Sequence, residues 1–516
     1  MSKNIMLMGT SSHVGKSIIT TALCRIFHRY GLKVVPFKAQ NMALNSYVTR
    51  EGLEMGRAQV AQAEAAGLEP AVDMNPVLLK PTGHSCSQVI INGKPVGDMS
   101  AREYHTGYSL KAFSAVKKAL VRLQEQYDIL VIEGAGSPAE VNLKANDIVN
   151  MRVAKHLKAP VLLIADIDRG GALASLVGTL ELLDEDERAL VKGLIINKFR
   201  GDITLLQPAL DFLEEKTGKP VLGVVPHIED MGIDDEDSVS LEEKQFSPQA
   251  SEGKLRLAVI QMPKISNFTD FASLSGEPDV ELYYVQEASK LGEPDLMLLP
   301  GSKNTTEDLL HLRECGLEGA IKEKVQQGTP LWGICGGYQM LGEKIRDPYH
   351  VESSHEEVTG FGLLPIITTF SKGKLLAQVK ATCTGMSFAG SKPLQAENMP
   401  GYEIHMGKTE FTVSTVHHPF VITQCSGGNM TEQDGAISSD GMVLGTYIHG
   451  IFDHDGFRRQ LLNSLRQKKG WQVISEQRNQ HKEKEAAYER LADVVEKSLD
   501  MEKLSAIMDE GEDCSC

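Results

Sequence analysis

Thr329–Gly342 reads TPLWGICGGYQMLG, and the fold of the C-terminal half turns on how this stretch is read. Leu331, Trp332 and Ile334 form the short apolar run of a buried strand, and Tyr338–Lys344 has a helical look. Between them Cys335 stands among Gly333, Gly336 and Gly337. A strand-to-helix turn of the form G-x-C-x-G holds its nucleophile in a strained conformation, and glycine neighbours leave the room it needs. The N-terminus of the following helix favours thiolate, the reactive form of cysteine. The competing reading is a core cysteine beside a glycine turn. A nucleophile needs a base, and fifteen histidines are present. GMVLGTYIHGIFDHDGF (441–457) ends an apolar run at His449, which makes His449 the base expected to join Cys335. The N–H of Gly336 and one from the Gly301–Ser302 turn would form the oxyanion hole.

Around this stretch βα units recur: LRLAVIQM (255–262), then EPDLMLLPGSKNT (293–305), then the cysteine turn itself. The N-terminal half repeats the theme. An apolar strand over residues 1–8 leads into GTSSHVGKS (Gly9–Ser17) and a helical segment, the context of a phosphate-binding loop. Gly9, Thr10 and Gly15 would cradle phosphates, Lys16 would neutralise β/γ oxygens, and the Ser17 hydroxyl would ligate Mg²⁺. The strict spacing puts glycine where Thr10 stands, so this loop is one residue longer. YDILVIEG (127–134) ends a buried strand in Glu133, the expected second Mg²⁺ contact. Lys38 and Lys80 lie at strand ends, where open α/β sheets bind ligands, and are the residues expected to meet substrate anions. Residues 51–67 read as helix, with Glu51 and Glu54 as solvated or metal-binding carboxylates. Strands over 159–175, 189–202 and 218–228 complete a parallel sheet.

The chain has 516 residues, too many for one core. The expected division is an ATP-dependent domain over 1–233, an acidic linker over 234–253, a second α/β domain over 254–455 and a helical, acidic extension over 456–516. A formal charge of −16 disfavours nucleic-acid binding and suits small-molecule chemistry. The eight cysteines lack paired spacing, which points to reduced thiols and a cytoplasmic enzyme. Cys514 and Cys516 have no second pair or histidine to build a metal site. No apolar run is long enough to span a membrane.

GICGGYQMLG with YIHGIFD resembles the class I glutamine amidotransferases of the cobyric acid synthase type. GTSSHVGKS and IEGAGS are similar to dethiobiotin synthetase-like ATPases, whose phosphate loop is also one residue longer. PFKAQNMALNS, NPVLLKP, SQVIINGK, ADIDRGGALAS, INKFRGD and GYEIHMG strengthen the resemblance, which covers roughly residues 3–465. It implies an α/β fold, an N-terminal P-loop parallel-sheet domain joined to a C-terminal amidotransferase domain. It adds Asn197 to the ATP site. It implies ATP and Mg²⁺ as cofactors, and glutamine and a corrinoid as the small-molecule partners. The expected reaction is amidation of four peripheral carboxylates of adenosylcobyrinic acid a,c-diamide. Most class I enzymes place a glutamate two residues after the histidine, where this chain has Ile451. Asp453, Glu403 or no residue at all is then left to orient the ring. Cobyrinic acid a,c-diamide synthase, a cytidine-triphosphate-synthase-like enzyme and a partitioning-type ATPase with an inert amidotransferase domain are the rival readings. Oligomeric state is open.

Overall fold

The computed structural model describes residues 2–83, 85–228, 232–233, 252–390 and 392–513. The acidic stretch expected as a linker lies outside them except for 252 and 253, as do Cys514 and Cys516. The chain forms two compact units. The first comprises Met1–Ala43, Met55–Ile233 and His481–Cys516, and the second Leu44–Glu54 and Asp234–Gln480.

In the first unit six strands make one sheet: β1 (Lys3–Gly9), β2 (Val34–Phe37), β3 (Ile129–Glu133), β4 (Val161–Asp166), β5 (Val191–Phe199) and β6 (Val221–Pro226). Their order is β6-β5-β4-β1-β3-β2, with every neighbouring pair parallel. Continuous apolar runs such as ILVI in β3 suit a sheet covered on both faces. The strand order reverses at β1, which opens a crevice at the carboxyl ends where the phosphate loop emerges. Helix α1 (Lys16–Arg29) follows that loop and buries Ile19, Leu23 and Ile26 in the core. A smaller sheet pairs Gln40–Met42 with the meander Val77–Gly83, Cys86–Ile91 and Lys94–Ser100.

The C-terminal stretch, expected as one extension from 456, divides. Helix Asp455–Lys468 buries Phe457, Leu461, Leu462 and Leu465 in the core of the second unit. Helix Gln480–Ser498 instead gives Tyr488, Leu491, Ala492 and Val495 to the core that holds α1. Its acidic face meets the arginines of α1: Arg25 pairs with Glu485 at 2.8 Å and Arg29 with Glu496 at 2.6 Å. Part of the acidity of this segment is thus matched within the unit.

The main sheet of the second unit comprises β7 (Leu255–Ile260), β8 (Val280–Val285), β9 (Leu296–Leu299), β10 (Leu331–Ile334), β11 (Ala436–Ile437) and β12 (Val443–Thr446). Its order is β8-β7-β9-β10-β12-β11, parallel except for the last pair. Trp332 of β10 is fully buried among Phe388, Phe420, Phe452 and Phe457, with ring centroids 5.2–6.2 Å away. The hairpin-like segments expected after 360 form an antiparallel pair of long, bulged strands, Ile366–Met386 and Leu394–Phe411. Residues 51–67 differ from expectation. The helix spans only Arg57–Ala65, after a short strand Glu54–Gly56. Glu54 is fully buried and paired with Lys374 at 2.5 Å, so it is neither solvated nor placed for a metal.

Candidate active site

The phosphate loop takes its shape from two glycines. At Gly9 a Cβ would lie 2.6 Å from Val14 Cγ2 and 2.8 Å from the Ser11 carbonyl. Gly15 has φ 94°, and a Cβ there would overlap the Asn197 side-chain nitrogen. That nitrogen donates to the Val14 carbonyl at 2.8 Å, so Asn197 of β5 supports the loop from a strand end one strand beyond β4. The Thr10 amide donates to the Ile164 carbonyl at 2.9 Å and extends the sheet ladder into the loop. Lys16 Nζ donates to the carbonyls of Ser11 at 3.0 Å and Gly136 at 3.2 Å, within the curl of the loop. Ser17 Oγ donates to Glu133 Oε1 at 2.8 Å, and Lys38 Nζ reaches the same oxygen at 2.8 Å. Lys80 is 4% exposed, a buried cation rather than a surface one.

Two further residues join this site without having been read from the sequence. Gln62 Nε2 donates to Glu133 Oε2 at 2.6 Å. Lys198 Nζ donates to the His13 carbonyl at 2.7 Å and pairs with Asp166 at 2.8 Å. Gln62 sits on the helix after the excursion 44–54, where no local motif marks it, whereas Lys198 lies beside Asn197 within INKFRGD, a stretch that could have pointed to it. The hydroxyl of Ser17 and the carboxylate of Glu133 are hard oxygen donors of the kind Mg²⁺ takes alongside substrate phosphates. Among the described residues no group of three or more His, Cys, Asp or Glu side chains forms a dedicated metal cage.

In the second unit Cys335 follows β10 at φ 54°, ψ −109°, a conformation that costs energy for any residue with a Cβ. The helix after it, α2 (Gly336–Met340), is shorter than the expected Tyr338–Lys344, and packing explains the run of glycines. A Cβ on Gly337 would overlap the Leu299 carbonyl of β9, and one on Gly336 would come within 2.8 Å of the Ser302 amide nitrogen. Gly301 lies beside His449, where a Cβ would be 3.4 Å from the imidazole Cε1. Cys335, Gly336, Gly301–Ser302 and His449 therefore come together, as their spacing in the sequence suggested. His449 lies just past the end of β12 and is bridged through its backbone to Tyr402. The Tyr402 ring stacks on the imidazole, with centroids 5.1 Å apart and planes 14° from parallel.

The residue holding the imidazole is Asp270. Its Oδ2 is 2.6 Å from His449 Nδ1, and its Oδ1 accepts from the Gly450 amide at 2.9 Å. Both side chains are at most 2% exposed. The residues weighed from the sequence stand elsewhere. Asp453 accepts from Ser273 Oγ, and the buried Glu403 has its carboxyl pushed up to about 8 by burial and by Asp434 and Glu432. Burial acts to lower the pKa of His449, but Asp270 and Cys335 outweigh it and raise the imidazole to about 10. The Nε2 atom is buried, and Cys335 is the other side chain that acts on the ring. With Nδ1 held by Asp270, Nε2 is the nitrogen left to exchange a proton at the sulfur.

Comparison with known proteins agrees with both halves. Residues 5–239 match the model of the CobQ/CobB/MinD/ParA nucleotide binding domain, and residues 256–457 that of the CobB/CobQ-like glutamine amidotransferase domain. The chain is 55% identical over 509 residues to the cobyric acid synthase of Moorella thermoacetica, covering 98% of each chain. It is 50% identical to that of Dehalococcoides mccartyi, covering 99% of this chain and all of the other. A crystal structure of a glutamine amidotransferase superposes on 40% of this chain and 97% of its own, with 16% identity and a TM-score of 0.29. The full-length relatives align beyond residue 465, so the C-terminal helices fall within the shared length. With a nucleotide-binding unit and an amidotransferase unit in one chain, both aligned from end to end, the chain belongs to the cobyric acid synthase family.

Proposed function

We propose that this chain uses glutamine and ATP to amidate four peripheral carboxylates of adenosylcobyrinic acid a,c-diamide, giving adenosylcobyric acid. The observation that carries this reading is the 50–55% identity to cobyric acid synthases along nearly the whole length, with the residues for both half-reactions in place. A carboxylate has no usable leaving group, so one of its oxygens first attacks the γ-phosphorus of ATP and ADP departs. Ammonia then adds to the acyl carbon of the acyl phosphate and inorganic phosphate leaves. Lys16 neutralises the phosphate oxygens, while Gly9, Gly15 and Asn197 shape the loop around them. Ser17 and Glu133 would hold Mg²⁺, which supplies charge neutralisation at the transferring phosphoryl group. Lys38, beside Glu133, and the buried Lys80 serve anionic groups of ATP or the corrinoid.

Ammonia comes from the second unit. The Cys335 thiolate attacks the glutamine side-chain carbonyl, and the oxyanion takes N–H groups of Gly336 and the Gly301–Ser302 strand. His449 Nε2 passes its proton to the leaving ammonia, and water then cleaves the thioester to glutamate. The partitioning-type alternative has no use for a thiol and imidazole arranged in this way. Cys335→Ala tests the reading. Glutamine-dependent corrinoid amidation, followed by mass spectrometry, is expected to fall at least about 10²–10⁴-fold. Amidation from added ammonium salts is expected to persist. Retained glutamine-dependent turnover would overturn the assignment.

A further inference from the structure

The sequence has no glutamate at position 451 to orient His449, and the partner that the ring does have comes from a different part of the chain. Asp270 lies in NFTDF (267–271), on a 3₁₀ turn Phe268–Phe271 entered through Asn267 in the left-handed region at φ 53°. Phe268 and Phe271 are buried on either side and anchor the turn in the core, so Asp270 cannot swing out to solvent. Its two oxygens are divided between the His449 ring and the Gly450 amide. This fixes both the imidazole and the backbone that carries it.

A second layer holds the turn. The eleven-residue excursion Leu44–Glu54 belongs to the glutaminase unit, although the chain on both sides of it belongs to the other. Asn45 Oδ1 accepts from the Phe268 amide at 3.2 Å, and Asn267 Oδ1 accepts from the Ser46 amide at 3.2 Å. Asn267 Nδ2 donates to the Tyr402 hydroxyl at 3.2 Å, and Tyr47 packs edge-on against the Tyr402 ring at 5.4 Å. Tyr402 is the ring stacked on His449. The excursion thus secures the Asp270 turn on one side and the aromatic lid of the imidazole on the other.

We propose that Asp270 is the positioning residue of the glutaminase site, clamped by the N-terminal excursion Leu44–Glu54 through Asn45, Ser46 and Tyr47. The proposal rests on the reading of Cys335 and His449 as nucleophile and base. An anionic partner at Nδ1 keeps that nitrogen protonated, presents Nε2 to the sulfur and stabilises imidazolium beside thiolate. Among the described residues the other groups facing the imidazole are Cys335 and Tyr402, with Glu403 and His405, both held toward their neutral forms by burial, coupled to it electrostatically from the strand that carries Tyr402.

Three full-length variants test this. Asp270→Asn keeps the shape and removes the charge. Its glutamine-dependent kcat is expected to fall about 10²–10⁴-fold, the range for loss of an effective base. KM for glutamine and amidation from ammonium salts should stay close to the parent values. The pH dependence of Cys335 alkylation by iodoacetamide, read on the Cys335 peptide by mass spectrometry, reports thiolate directly. In Asp270→Asn its midpoint is expected to rise by about one unit or more, because imidazolium no longer persists beside the sulfur. Asp270→Glu should restore part of the lost kcat and move the midpoint back. Asn45→Ala is expected to lower glutamine-dependent kcat and shift the midpoint in the same direction, by less. An unmoved alkylation midpoint in Asp270→Asn, or equal loss with both nitrogen sources, would show a merely structural aspartate. An unmoved midpoint in Asn45→Ala would remove the clamp. A dead Cys335→Ala with a fully active Asp270→Asn would overturn this proposal alone, whereas an active Cys335→Ala would remove the reading beneath it.

Discussion

Glu133 shows how single residues set the chemistry of the first unit. It is fully buried, and its two oxygens are shared among Ser17, Lys38 and Gln62. A buried carboxylate is tolerated when charge and hydrogen bonds compensate it, and two of the compensating groups, Ser17 and Lys38, are among those proposed for the phosphoryl step. Lys16 stands on the other side of the loop, its ammonium held by two carbonyls. A phosphate oxygen would be a charge-assisted partner for this ammonium, stronger than a neutral carbonyl. Lys16→Ala is therefore expected to abolish amidation from both glutamine and ammonium salts, with ATP cleavage lost as well. The cost is on the order of 2–4 kcal/mol of transition-state stabilisation or more. Glutamine hydrolysis by the second unit should survive. ADP release measured with each nitrogen source checks this, and near-normal ammonia-dependent turnover would take the loop out of the mechanism.

At the scale of elements, helix Gln480–Ser498 does more than close the chain. Its apolar face completes the core around α1, with Tyr488, Leu491, Ala492 and Val495 nearly or fully buried. The solvent-accessible pairs of Arg29 on its flank contribute little each, so most of the stabilisation is expected from packing. Leu491→Ala leaves a cavity in that core and is expected to cost about 2–5 kcal/mol. In denaturant melts the loss should fall on the first unit, with the glutaminase midpoint unchanged. A tolerated Leu491→Ala would mean that the helix decorates the unit rather than building it. The cysteine turn has the opposite economy. Gly336 and Gly337 let α2 approach β9 so closely that no side chain fits, and the strain at Cys335 is held by that contact.

Across the molecule, protonation links stability to pH mainly through the second unit. Burial raises the carboxyls of Glu403 to about 8, Asp308 and Glu352 to about 7, and Asp434 to about 6. The folded state therefore binds more protons than the unfolded chain from about pH 4.5 to 8, and stability falls as pH rises through that window. His449 acts in the same direction. Its raised pKa contributes stability that is fully present below the unfolded value and lost as pH climbs toward about 10. The thermal transition of the glutaminase unit is expected at lower temperature at pH 8.5 than at pH 5.5, and Glu403→Gln should flatten the difference. Calorimetry across that range checks the sign, and a transition that moves upward with pH would refute it.

The βα character of both main sheets, the phosphate loop and the cysteine turn were legible in the sequence, because these are written in contiguous residues. Apolar runs give buried strands, and glycine gives backbone that no other residue can adopt at that place. Lys16 and Ser17 were marked by the glycine loop they close, Glu133 and Cys335 by the apolar runs they end, and His449 by its place just past one. Asp270 could not. It meets His449 across 179 positions, from a short turn whose only local mark is two phenylalanines. The excursion Leu44–Glu54, the burial of Glu54 against Lys374 and the docking of the last helices were hidden in the same way. Each is a pairing between distant segments, and packing chooses such partners only once the separate elements exist. Periodicity shows which face of an element will be buried; the tertiary structure alone decides against what.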